Sequence, residues 1–220
     1  MATLNAKDLI AKRVAQEFKD GQLVNLGVGI PGRVPQFLPD GVEVWLQAEN
    51  GIIGGGPPAN DEEKDPFFLD ASCVHCTILP GGCTFDSAVS FGLIRGGHLN
   101  YTVLGAFQVD QEGNLANYVV PNGKLAGMGG AMDLVTGAEK VIVATEHTTR
   151  DGSSKILKKC TFPLTGAKVV NIIVTELAYI EVTNRGLILK EIAPGVTVED
   201  VIAKTEADLI IEESVKTMNV

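Results

Sequence analysis

Aromatic side chains are scarce in this chain of 220 residues, at 5% with a single tryptophan, and it has only three histidines. Few aromatics exclude a core of stacked rings. The 45% of hydrophobic residues must therefore pack mainly as Val, Ile, Leu and Ala, the composition of α/β layers. Positive charge is also short, with 18 Lys and Arg against 27 Asp and Glu and a net charge of −9. That excludes a phosphate-neutralising face, so nucleic acid is not an expected partner. No apolar run approaches the roughly 20 residues needed to cross a bilayer, so no membrane partner is expected. The stretch Met1 to Asp8 lacks the basic and apolar regions of a signal peptide, which points to the cytoplasm. The cysteines are Cys73, Cys76, Cys83 and Cys160. Cys73 and Cys76 form a C-x-x-C without the second close ligand pair of a structural zinc site, so no metal is expected and the thiols read as small apolar fillers. No G-x-S-x-G occurs, and His75, His98 and His147 pair with no serine or cysteine in a nucleophile motif.

What is present alternates between helical and extended patterns. Ile10, Val14 and Phe18 recur every fourth residue and predict an amphipathic helix over 6–19, closed by Gly21. Strands are predicted at Leu23–Leu26 and Val42–Leu46. A polar, acidic surface loop is expected over 59–72, read as a solvated insertion in preference to a lid. Phe85 to Ile94 reads as a helix, with Asp86 near its start and Gly96-Gly97 at its end. Tyr101–Phe107 and Leu115–Val120 read as strands about a turn at 110–114, and Met132–Val135 as a short helix. Lys140–Ala144 and Val169–Val174 have the apolar continuity of parallel-sheet strands. Tyr179–Val182 and Leu187–Leu189 flank a hairpin turn, Thr197 caps a last helix, and Leu209–Ile211 reads as a short strand. The expected fold is α/β, an open and mostly parallel sheet flanked by helices with added antiparallel hairpins. No linker divides it, so residues 1–220 are expected to form one domain.

Three segments carry chemistry. Glu49 follows the alternating strand residues and precedes Asn50 and then four glycines and two prolines within eight residues, Gly51 to Pro58. A carboxylate at a strand end beside backbone that permits close approach is how a reactive acid is presented. The same residues also suit a plain turn with Gly51 at positive φ. The run Gly27-Val28-Gly29-Ile30-Pro31-Gly32 matches G-x-G-x-x-G, which supports an alternative reading as an NAD(P)-binding oxidoreductase domain. Pro31, Pro35 and Pro39 interrupt the helix that such a site needs. Gly127, Gly129 and Gly130 form a second close-approach segment whose N–H groups suit an oxyanion or a packed turn, with Lys124 nearby as an anion attractor or a surface lysine.

Taken in order, Glu49-Asn50-Gly51, Arg95-Gly96-Gly97-His98, Gln108-Val109-Asp110, Gly113 to Asn117 and Gly127 to Val135 resemble the β subunit of class I coenzyme A transferases. The 3-oxoacid type is nearest, including the acetate/butyrate–acetoacetate enzymes, whose architecture is akin to that of the sugar-phosphate isomerases. The resemblance implies that Glu49 is the nucleophile of a ping-pong reaction through a glutamyl-CoA thioester. It further implies that Asn50, Gly51, Gln108, Gly127, Gly129 and Gly130 bind substrate or CoA or supply oxyanion donors. Coenzyme A would be a substrate, with no permanently bound cofactor. The substrates would be acyl-CoA and short-chain carboxylates, and the partner an α subunit in a heterodimer or higher assembly. Ala48 stands where many relatives have serine, which alters how the carboxylate is held and leaves the nucleophile in place.

Overall fold

Strands that the sequence makes continuously apolar are buried on both faces, as a parallel sheet between helical layers requires. In the computed structural model, which describes residues 4–123 and 125–220, β5 (Tyr101–Leu104) and β10 (Ile172–Val174) are buried throughout. In β8 (Lys140–Ala144) only Lys140 is exposed. These strands join β1 (Leu23–Leu26) and β2 (Trp45–Ala48) in the parallel order β2-β1-β5-β8-β10. Antiparallel hairpins extend the sheet at both sides to ten strands. One side adds β3 (Ile52–Pro58) and β4 (Cys76–Thr84). The other adds β11 (Ala178–Thr183) and β12 (Gly186–Ile192), with β13 (Leu209–Thr217) parallel to β12 at the edge. A small second sheet pairs β6 (Gln108–Asp110) with β7 (Leu115–Ala116) and β9 (Ile156–Leu157).

The helices follow their caps. Asn5 accepts from Asp8 N–H at the start of α1 (Ala6–Ala15), and Asp86 accepts from Val89 N–H at the start of α2 (Ser87–Arg95). Thr197 and Asp200 form a capping box on α4 (Val198–Lys204). The short α3 (Ala131–Gly137) starts at Gly130. Alternate sheet residues divide the core. Ile142, Ala144, Ile172 and Val174 pack toward α1, whereas Val141, Val143 and Ile173 face α4 and the small sheet. The α2 and α3 helices share Ile94, Leu99 and Leu134.

Several expected boundaries move. The first helix ends at Ala15, because Gln16, Glu17 and Phe18 close onto carbonyls three residues back instead of four. The strand expected at Val42–Leu46 is Trp45–Ala48, since its partner β1 begins at Leu23, opposite Trp45. The strands also end at Leu104 and at Ala116, short of Phe107 and Val120. Beyond the expected elements, β3 and β4 run through glycine and proline that read as punctuation. The lone tryptophan explains part of this. A Cβ on Gly54 would lie 3.0 Å from the Trp45 ring and 2.8 Å from Gly82 Cα, so the indole packs where side chains would otherwise stand. Pro80 sits in β4, the edge strand, where a missing N–H is tolerated. Among the described residues no helix is long and apolar enough to cross a membrane.

Candidate active site

The chain leaves β1 for β2 on one side and returns later to β5 on the other, so the winding reverses at β1. In an open α/β sheet a crevice forms outside the carboxyl ends of the strands at such a switch. A cleft of about 970 Å³ lies there. Its walls include Gly27 after β1, Glu49 after β2, Leu104 at the end of β5, and Gly127, Gly129 and Gly130 before α3.

Glu49 is half-buried, and Gly130 N–H donates to its Oε1 at 3.2 Å. Among the described residues this is the only hydrogen bond to that carboxylate, so most of its lone pairs remain for chemistry. The glycine is required by space. A Cβ at Gly130 would stand 2.5 Å from Glu49 Oε2, and one at Gly129, whose φ is +51°, 3.3 Å from Oε1. The turn beneath is equally tight. Gly51 has a φ of +119°, and a Cβ there would lie 1.9 Å from the Phe85 carbonyl oxygen.

The other expected site residues separate. Asn50 is exposed and donates to Leu69 O at 2.7 Å, and Gly51 is buried in the turn. Neither lines the cleft. Asn50 thereby pins the acidic loop, of which Asp70, Ala71 and Ser72, with Val74 just beyond the loop, form part of the cleft wall. That segment, expected as a solvated insertion, is thus fixed structure at its far end. Gln108 is also away from the cleft. Its Nε2 donates to Thr161 Oγ1 at 2.9 Å, and its Oε1 accepts from Thr161 and Phe162 N–H at 2.8 and 3.0 Å. Lys124 lies outside the described residues.

Two residues that the local pattern did not single out line the cleft floor, Asn25 and Gln47. A carboxamide inside the short apolar strand Leu23-Val24-Asn25-Leu26 was the available signal. A third is Arg33, which lines the cleft and is paired with Asp8 at 2.5 Å. It is the one cationic side chain among the described lining residues.

Cys76 also lines the cleft, and Cys73 and Cys83 are exposed, which departs from their expected role as small apolar fillers, whereas His147 and Cys160 lie elsewhere. His147 is fully buried between Thr175 Oγ1 and Thr205 Oγ1, each 2.9 Å from a ring nitrogen. Burial, helped by Lys204, lowers its pKa to about 4, so it is neutral at pH 7. Burial, with Asp110 beside it, pushes the Cys160 thiol up to about 12, which leaves it an un-ionised filler. Among the described residues no group of three or more metal-ligating side chains stands together.

The segment after β1 bears on the G-x-G-x-x-G pattern. Residues Pro31–Phe37 form a 3-10 segment with Pro35 inside it, where a dinucleotide site needs the N-terminus of an α-helix. Gly27 serves strand packing instead, since a Cβ there would lie 3.2 Å from Val103 O. The dehydrogenase alternative falls on this geometry and on the kinship of the chain. A family profile described as coenzyme A transferase matches residues 7–204, and the chain belongs to that family. It is 52% identical over 217 residues to a protein of Haemophilus influenzae named acetate CoA-transferase subunit beta, covering 99% of this chain and 97% of that protein. A protein of the same name from Escherichia coli is 50% identical over 214 residues, covering 97% and 98%. Among solved structures, an acyl-CoA transferase apoenzyme of Escherichia coli O157:H7 superposes with a TM-score of 0.78 at 25% identity. That match covers all of this chain, which spans 44% of the longer one.

Proposed function

We propose that this chain is the catalytic β subunit of a short-chain acyl-CoA:carboxylate CoA-transferase and that Glu49 is its nucleophile. The observation that carries this reading is the Glu49 carboxylate, held by one backbone N–H at the mouth of the switch-point cleft. The carboxylate oxygen attacks the thioester carbonyl of acyl-CoA, and the resulting tetrahedral oxyanion collapses with loss of CoA thiolate. This leaves a mixed acyl–glutamyl anhydride. The thiolate then attacks the glutamyl carbonyl, the acyl group departs as a free carboxylate, and a glutamyl-CoA thioester remains. A second carboxylate reverses the steps and leaves as the new acyl-CoA, a ping-pong sequence.

The complete cycle exchanges one thioester for another and is near balance overall, so the protein's task is alignment and stabilisation of the oxyanions on the way through the higher-energy anhydride. When the thiolate attacks the glutamyl carbonyl, charge develops on a Glu49 oxygen, and Gly130 N–H already stands 3.2 Å from Oε1. A donor in that place is worth roughly 3–4 kcal/mol of barrier. Gly127 and Gly129 keep that backbone close to the cleft. Asn50 acts by tying the acidic loop to the nucleophile turn, Gly51 by allowing that turn, and Gln108 by holding the 161–162 backbone.

Coenzyme A enters as a substrate, with acetate, butyrate or acetoacetate among the acids. A companion α subunit completes the site in a heterodimer or a higher assembly. Two observations support that partner besides the names of the relatives. The cleft offers only Arg33 as a cation among its described lining residues, and the substrates are anions. Apolar side chains also stand in solvent on segments that border the cleft, Val28 at 76% exposure, Phe67 at 95% and Leu125 at 73%.

The test is direct. The α/β complex, incubated with acyl-CoA and digested, is expected to show a CoA-sized mass adduct on the peptide containing Glu49. Glu49→Ala is expected to lower turnover by at least about a thousandfold, as for other covalent nucleophiles. Undiminished turnover in that variant would end the reading.

A further inference from the structure

Four polar side chains lie in one buried row across the sheet. Thr102 of β5, Asn25 of β1 and Gln47 of β2 are register partners, and Ser90 meets the row from α2. Their exposures are 0%, 4%, 3% and 0%. Thr102 Oγ1 donates to Asn25 Oδ1 at 3.4 Å. Asn25 Nδ2 donates to Gln47 Oε1 at 2.8 Å and to the Gln47 main-chain oxygen at 3.1 Å. Gln47 Nε2 donates to Ser90 Oγ at 2.9 Å. Both amide orientations follow from the pairing. The main-chain carbonyl can only accept, so Asn25 must turn its nitrogen to Gln47, and Gln47 must turn its oxygen back.

An apolar row would hold the sheet as well. Each such hydrogen bond contributes only about 1 kcal/mol net, and replacing both partners by matched apolar groups is often neutral. What hydrogen bonds add is fine placement within the register, because apolar contacts allow small shifts that directional ones do not. The place of the row shows where such placement matters. Gln47 lies two residues before Glu49, and Ser90 immediately precedes Phe91. The Phe91 ring stands 3.0 Å from where a Cβ on Gly130 would be, and Gly130 N–H binds Glu49. Arg95 on α2 also pairs with Asp133 on α3 at 2.6 Å. The contacts therefore close a ring from Glu49 through Gln47, Ser90, Phe91 and Gly130 back to Glu49.

We infer that Asn25, Gln47 and Ser90 are positioning residues that set the height of Glu49 against the Gly130 N–H. The inference rests on Glu49 being the nucleophile. Ser90 gives the cleanest probe, since it does not line the cleft and its loss removes no contact with substrate. In the full chain assembled with its companion subunit, Ser90→Ala is expected to lower kcat about tenfold, the scale of a sub-ångström misplacement. The KM for each substrate should stay within about twofold, because ground-state binding is untouched. The glutamyl-CoA adduct should form correspondingly more slowly.

Ser90→Ala also strands the Gln47 Nε2 donor, which lowers the melting temperature. The paired variant Gln47→Met with Ser90→Ala removes that donor. It is expected to regain melting temperature while kcat stays low. If kcat recovers together with melting temperature, or if Ser90→Ala keeps wild-type kcat, the positioning role is wrong. If neither variant folds, the row is a stability element and the inference likewise falls. Glu49→Ala separates the two readings. Retained turnover there removes the nucleophile itself, and this inference with it. A dead Glu49→Ala beside a fully active paired variant removes only the positioning role.

Discussion

Two hairpins extend the parallel sheet, one on each side, and their turns share an unusual glycine. Gly51 between β2 and β3 has a φ of +119°, and Gly186, opening β12 after the β11 turn, has +122°. Around that shared backbone the surroundings diverge. A Cβ on Gly51 would strike the Phe85 carbonyl oxygen at 1.9 Å, whereas one on Gly186 would meet only Ile210 Cδ1 at 3.6 Å. Beside Gly51, Glu49 leans onto Gly130, and a buried polar row stands behind it. Beside Gly186, Asn184 and Arg185 are exposed, and Leu187, Leu189 and Ile180 fill an ordinary apolar core. The same turn geometry thus borders a cleft only where other elements converge on it.

Substitutions separate the two hairpins, and the largest structural effect belongs to the first. Gly51→Ala is expected to cost about 4 kcal/mol and most of the activity, since backbone must move at the turn that carries Glu49. Thermal melting and turnover of the same preparation check it, and a mild effect on both would show that the Phe85 contact yields easily.

The second hairpin is held by charge instead. Arg13 of α1 donates to both carboxylate oxygens of Glu191 at 2.7 and 3.0 Å and to Glu17 at 2.9 Å, and it stacks 4.1 Å above the Tyr179 ring. Its side chain is 7% exposed, so Arg13→Met leaves two largely buried carboxylates unpaired. A loss of roughly 3 kcal/mol is expected in denaturant unfolding, with kcat per folded site unchanged because the lost contacts are with the far hairpin.

The link before that hairpin carries a pH dependence. His147 N–H donates to Glu176, and its ring sits against Thr175 and Thr205. Its folded pKa of about 4 lies below the unfolded value of 6.5, so the unfolded chain binds more protons between these limits. The stabilisation is therefore complete above about pH 6.5 and is lost as pH falls toward about 4, by about 3 kcal/mol in all. His147→Gln should flatten that part of the stability–pH curve, and an equally steep curve in the variant would assign the slope to other groups. Smallest of all, Gly186→Ala should cost only about 1–2 kcal/mol, the strain of placing a side chain at such a φ, and leave turnover intact.

Much of this was legible before any tertiary contact was known. The caps at Asp86 and Thr197, the apolar run Lys140–Ala144 and the hairpin about Asn184 all stand where local pattern places them. Local pattern failed at β3 and β4, where Trp45 supplies from another strand the packing that glycines lack. It also misjudged the end of α1, where Gln16, Glu17 and Phe18 close on the third carbonyl back as the chain turns toward β1.

The site divides in the same way. From its own neighbours Glu49 could be read only as a carboxylate on a glycine turn, and Gln108 only as one more polar residue in an ordered set of motifs. Tertiary structure brought Gly130, 81 residues away, onto the Glu49 carboxylate and turned Gln108 inward onto Thr161 and Phe162. It also assembled Thr102, Asn25, Gln47 and Ser90 from three strands and a helix. Sequence alone determined which segments are extended, helical or turned and supplied the ordered motifs of the family, because caps, periodicity and glycine act within a few residues. Which groups meet was decided only by the fold, because hydrogen bonds and steric exclusion act over ångströms of space and are blind to distance along the chain.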